Sequence, residues 1–192
     1  MNSTAVAALS AASVASRLEL PVSWERLDCA PSEQQREAAE QANAGILSFL
    51  LQEIELDARP RPADEQLVEA LAPLAAKLDV VVELVTRLSY RDAERPPRRV
   101  IELGERHLAW QAPDAEPPGV WLRLSIYFHP TFLEPVVLFG EVTETNPAVG
   151  SGFHIEVAVA EGPERVSGDL LRLALLTQRR QHAATVAAAR IA

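Results

Sequence analysis

The side chains best suited to hold a metal or carry a nucleophile are four histidines, His107, His129, His154 and His182, and a lone cysteine, Cys29. None of them stands at a metal-ligand spacing, so no zinc or other metal site is expected. One cysteine allows no internal disulfide, and nothing in its usage argues for an oxidising compartment. The run GSGFHI, Gly150 to Ile155, begins like a dinucleotide-binding glycine motif, but it lacks the third glycine and leads into strand-like sequence. It reads as a hairpin turn. There is no nucleophile elbow and no phosphate-loop lysine motif. Acidic pairs such as Glu53 and Glu55 fall on helix faces and read as solvated. The expectation is a non-enzymatic protein with no catalytic residue, no metal and no cofactor.

Arginine is the residue type with a defined ligand logic. Lys77 is the only lysine among 18 cations. Arg91, Arg95 and Arg99 give an Arg-x-x-x-Arg spacing twice, beside a Pro-Pro pair. Their planar guanidinium forks suit phosphate oxygens or stacking on purines. The plainer reading is a charged hinge. With 27 acidic residues the formal net charge is −9, which repels phosphate backbones overall, so nucleic acid is not an expected partner.

These residues need a scaffold, and 192 residues suffice for one domain plus an oligomerising appendage. A hydrophobic fraction of 48% excludes wholesale disorder. The opening MNSTAVAALSAASVAS makes a poor secretory signal, and no apolar run approaches the ~20 residues of a membrane span. The cytoplasm is the expected location.

Along the chain, residues 1–17 read as a loose arm. Residues 18–30 hold a weakly alternating segment with Trp24, either one first strand or an extended arm. Residues 31–90 read as a helical oligomerisation insert. Ser32 is the candidate N-cap of a helix running to about Ile54. Its apolar end, Ile46, Leu47, Phe49, Leu50, Leu51 and Ile54, is wide enough for burial on more than one side. Pro60 and Pro62 then interrupt the helical run, making the surrounding stretch a linker.

In the following segment Leu67, Leu71, Leu74, Leu78, Val81, Val85 and Leu88 keep an alternating 4,3 spacing, an a/d heptad stripe. A 3.5-residue period held this long favours self-association over a helix packed on its own domain. Pro73 argues against one straight rod. It reads instead as the first-turn proline of a helix over 73–90, with 64–71 a separate short helix. Residues 91–163 switch to a period of two. VIEL, RHLAW, VWLRLSIYF, PVVLFGEV and GFHIEVAVA are short strands with turn-rich joints, as in a small antiparallel barrel or sandwich. On the third of these, Arg123, Tyr127 and His129 form a candidate recognition face. Residues 164–192 read as a closing helix.

An Arg-x-x-x-Arg segment, the strand-turn ELGERHL (Glu102 to Leu108), an antiparallel meander and a terminal helix together resemble a PilZ domain, the receptor module of cyclic di-GMP signalling. LPVSWERL, KLDVVVELVTRL, WLRLSIYFHP and QRRQH resemble its atypical, tetramer-forming branch. The resemblance covers roughly residues 18–185 and implies an α+β fold: a small antiparallel PilZ-like β-barrel with inserted N-terminal helices and a C-terminal helix. It implies a coiled-coil-assembled homo-oligomer, a tetramer by preference, acting as a signalling adaptor with a protein partner. In spacing, Arg95 and Arg99 match the family's phosphate-binding arginines. Glu102, Gly104 and His107 stand where Asp/Asn, Ser and Gly are usual. Glu102 keeps an acceptor for a guanine edge on a longer stem, Gly104 lacks the hydroxyl, and His107 replaces a residue suited to positive φ. The candidate ligand residues are thus Arg95, Arg99, Glu102 and His107, with cyclic di-GMP as candidate ligand. Adaptor without that ligand and genuine receptor both remain open on this reading.

Overall fold

The computed structural model describes residues 16–58, 65–89, 95–129, 134–148, 150–160 and 164–189. Six antiparallel strands close into a barrel in the order β1-β2-β3-β6-β5-β4. They are β1 (Ser16–Leu27), β2 (Arg98–Leu103), β3 (His107–Ala112), β4 (Trp121–Ile126), β5 (Val136–Pro147) and β6 (Phe153–Val159). Three helices complete the described elements: α1 (Glu33–Ala58), α2 (Glu65–Ser89) and α3 (Glu164–Ala189).

Alternation decides what fills the barrel. Leu18, Leu20 and Val22 of β1, Ile101 and Leu103 of β2, and Leu122, Leu124 and Ile126 of β4 are buried, while their neighbours in sequence face outward. Trp110 is the largest of the fully buried side chains. The weak pattern of 18–30 therefore belongs to a true strand and not to an arm. β1 pairs with β2 through Ser16 to Pro21 and then with β4 through Val22 to Leu27, which closes the barrel. The barrel is accordingly not confined to residues 91–163: its first strand lies before the helical insert. Ser16 and Arg17, expected in a loose arm, already belong to β1; residues 1–15 lie outside the described residues.

The helix after Pro31 starts as expected. The Ser32 hydroxyl accepts from the Gln35 N–H at 3.2 Å, and the Ser32 N–H donates to the Gln35 side chain at 2.9 Å, a reciprocal capping box. It runs to Ala58, past the expected end, and one stripe packs on the barrel: Asn43, Ile46, Leu47, Leu50 and Leu51. Phe49 is 47% exposed, so within the chain only one side of α1 is buried. α1 is thus a wall of the domain, although it lies in the segment inserted between β1 and β2. α3 packs beside it through Leu170, Leu173 and Ala174, with Arg172 and Glu55 paired at 2.7 Å.

α2 corrects the expectation of a break at Pro73. A single helix spans Glu65 to Ser89 with Pro73 inside it. Good helix formers on both sides outweigh the loss of one intrahelical hydrogen bond. Unlike α1 and α3, it makes no extended packing with the barrel among the described residues.

Candidate functional site

The barrel separates the two arginines expected to act together. Arg99 shares the inward parity of Ile101 and Leu103 and stands opposite Leu20. Its guanidinium carbon lies 5.1 Å from the ring centre of Trp24, and Nη1 donates to the Gln111 carbonyl at 3.1 Å. Trp24 in turn sits 5.2 Å from Trp110, ring centre to ring centre. Arg99 is therefore built into one end of the barrel. Arg95, just before β2, lines a different place, a cleft of about 320 Å³ between α1, α3 and the Tyr127–His129 segment, which Arg98 lines with it and Arg99 does not. Arg91 lies outside the described residues.

Glu102 and His107 do not approach Arg99 either. Glu102 faces outward on β2 between Arg17 of β1 and Ala109 of β3. His107 begins β3 beyond the turn, where the Gly104 N–H donates to its carbonyl at 2.9 Å and its ring packs over Gly104. A β-carbon at Gly104 would strike that ring. Five residues of extended strand separate Arg99 from Gly104, roughly 16 Å. The four candidate ligand residues thus occupy an inward barrel end, a cleft under α3, an outer strand face and the far turn. No group of three or more His, Cys, Asp or Glu side chains suitable for a metal ion occurs among the described residues. No helix among them is long and apolar enough to cross a membrane.

The candidate interface is disposed differently. Leu71, Leu74, Leu78, Val81 and Val85 of α2 are each 49–56% exposed. The side chains of Leu67 and Leu88 lie outside what the structure describes. Val80, Val82 and Leu84 are about equally exposed, so the apolar surface is broader than an a/d seam alone.

Of the candidate recognition face, Arg123 pairs with Glu25 at 2.7 Å across β4 and β1, and His129 lies 3.3 Å from Glu53 of α1. Tyr127 and His129 line the cleft with Arg95. Sequence reasoning missed two further polar devices. Glu116, in the loop before β4, is 5% exposed; its carboxylate accepts from Trp24 Nε1 at 2.9 Å and from Arg26 Nε. Asn43, 2% exposed, bonds the backbone of Val137. A polar residue on the 43, 46, 47, 50 stripe was the available signal for the second; the first had none, because it depends on how the 113–119 loop folds over the barrel.

No protein-family model and no curated protein matches the sequence. Among solved structures, the chain is similar to a protein from Xanthomonas campestris described as pathogenic and as a tetrameric PilZ domain self-assembled through an unusual helical bundle. The two share 21% identity, with 90% of this chain and 92% of that one covered, and superpose with a TM-score of 0.67. A closed six-stranded barrel, a first strand placed before two helices, and a terminal helix laid along the barrel give this chain the fold of an atypical PilZ domain with helices inserted after its first strand.

Proposed function

We propose that this protein is a non-enzymatic, oligomeric adaptor in cyclic di-GMP signalling, its copies joined through α2. The observation that carries the reading is the row of half-exposed apolar side chains from Leu71 to Val85 on a helix that leaves the barrel. Burying a Leu or Val side chain is worth about 1.5–3 kcal/mol, so a row of five is costly to leave in water and rewarding to bury against copies of itself. The similar Xanthomonas protein is described as assembling through a helical bundle, which supports the same use of the inserted helices here. A cytoplasmic location accords with this role.

The separation of Arg95, Arg99, Glu102 and His107 favours the adaptor over a receptor built on the usual pocket. Two measurements test the reading together. Sedimentation equilibrium should give a multiple of 20.9 kDa, a tetramer by preference, and Leu78→Lys should reduce it to the monomer mass. Calorimetric titration with cyclic di-GMP should show no saturable heat at micromolar protein. A monomeric wild type would remove the adaptor assembly, and saturable binding weakened by Arg99→Ala would establish the receptor alternative.

A further inference from the structure

The net charge of −9 conceals a local reversal along α3. A groove of about 760 Å³ runs between the C-terminal half of α3 and the outward side chains of β1 and β2, bordered by Arg17, Arg98, Arg179 and His182. The 320 Å³ cleft beside it has an apolar floor that includes Leu20, Ile54, Phe128 and Leu173, and a rim carrying Arg95, Arg98 and Arg180. Arg98 and Gln181 line both, so the two adjoin as one trough, crossed where Gln181 bonds the Glu19 backbone at 3.2 and 3.0 Å. Five arginines and two histidines border it, against only Glu19 and Glu53. Arg98 lies 3.6 Å from the Glu19 carboxylate and donates to the Glu19 carbonyl at 2.6 Å, and His129 lies 3.3 Å from Glu53, so each acidic residue already has a partner.

We propose that this trough docks an extended, acidic segment of a partner protein. The spacing of the cations selects that occupant. In the β1–β2 register Arg17 stands opposite Glu102 and Pro21 opposite Arg98, so Arg17 and Arg98 lie four residues apart along the strands, about 13 Å. A phosphate pocket converges its donors on one group; these are strung out. Carboxylates on alternate residues of an extended chain recur on one face every ~6.6 Å and match such a row, each meeting a guanidinium fork. The left-handed glycines among the described residues, Gly119, Gly150 and Gly152, all lie outside the trough, so no glycine nest supplies backbone donors for a phosphate there. The apolar floor takes an aliphatic or aromatic side chain between the carboxylates, the anchor that a polar rim alone does not provide. The acidic remainder of the surface repels the same segment and confines it to the trough.

The trough uses no residue of α2, so this inference stands apart from the assembly role. The test is fluorescence anisotropy of the full chain with a labelled peptide of alternating glutamate and leucine. Saturable binding is expected, with no binding of the lysine-leucine counterpart. Arg179→Glu, on the exposed face of α3, should weaken it at least about tenfold. Arg98→Gln, which removes the charge both clefts share, should do likewise, with circular dichroism confirming the fold of each variant. Absence of saturable binding to the wild type, or unchanged affinity in both variants, overturns the proposal. Displacement of the peptide by micromolar cyclic di-GMP also overturns it, because the trough would then be a dinucleotide site.

Discussion

Asn43 and Val137 satisfy each other in both directions: the Asn43 amide donates to the Val137 carbonyl at 2.7 Å, and the Val137 N–H donates to Asn43 Oδ1 at 2.9 Å. At this point β5 pairs with β4 on one side, while its pairing with β6 starts only at Gly140. The other edge of β5 is therefore open, and a side-chain amide from α1 takes the place of a strand. Gln181 of α3 does the same at the open edge of β1, accepting from the Glu19 N–H at 3.2 Å and donating to the Glu19 carbonyl at 3.0 Å. Both helices are thus keyed to the barrel by hydrogen bonds as well as by apolar packing.

Asn43→Leu keeps the branched shape and removes both bonds, leaving one donor and one acceptor at a part-buried seam. Each unsatisfied group costs about 1–3 kcal/mol, so the denaturation midpoint should fall by the equivalent of about 2 kcal/mol or more with an unchanged slope. Gln181→Ala breaks the equivalent pair where water can replace it, and should cost under about 1 kcal/mol. Equal losses in the two variants would show that burial does not set the difference.

Much of the barrel was readable because strands such as β2 and β4 alternate, and alternation is a local signal. Leu122, Leu124, Ile126 and Phe128 declare a buried face without reference to any other segment. The N-cap at Ser32 and the turn at Gly104 were equally local. What escaped depends on pairing across long stretches of chain. β1 joins a barrel whose next strand begins at Arg98, beyond two helices, and no pattern within residues 18–30 states that. The candidate ligand residues failed to converge for a related reason. Arg-x-x-x-Arg spacing makes neighbours on a helix, but Arg99 lies on a strand, where parity alone turns it inward toward Trp24.

Two glycines should respond differently to alanine. Gly152 has φ +89°, and an added β-carbon would meet the carbonyl oxygen of Ala112, which is backbone and cannot swing away. Gly152→Ala should cost about 3 kcal/mol and disturb the β5–β6 hairpin. Gly104 meets only the ring of His107. Gly104→Ala should cost under about 1 kcal/mol, and that cost should vanish in a His107→Ala background, which a double-mutant cycle measures directly. A cost retained without the ring would place the strain in the turn itself.

Glu116 ties Trp24 and Arg26 to the barrel end, and its carbonyl accepts from the Thr145 hydroxyl at 2.5 Å. Glu116→Gln retains an acceptor for Trp24 Nε1 and should cost little. Glu116→Ala leaves that indole N–H without its partner, with an expected loss of about 1–3 kcal/mol. Tryptophan emission should shift to the red as water reaches Trp24. An unshifted spectrum with full stability would mean that the loop does not depend on this carboxylate.

Charge placed in the α2 stripe should separate assembly from folding. Leu78 and Val81 are 55% and 53% exposed and make no part of the barrel core, so Leu78→Lys and Val81→Glu remove nothing that the barrel needs. In an assembled seam each would bury an unpaired charge, which a helical bundle does not tolerate. The expected result is a monomer by sedimentation in which the near-ultraviolet dichroism from Trp24 and Trp110 persists. Helical signal from α2 should fall at the same time, because an isolated helix of 25 residues with Pro73 inside it is marginal in water. A variant that loses the tryptophan signal along with its mass would show instead that α2 is needed to fold the barrel, and a variant that stays assembled would place the contact between copies elsewhere.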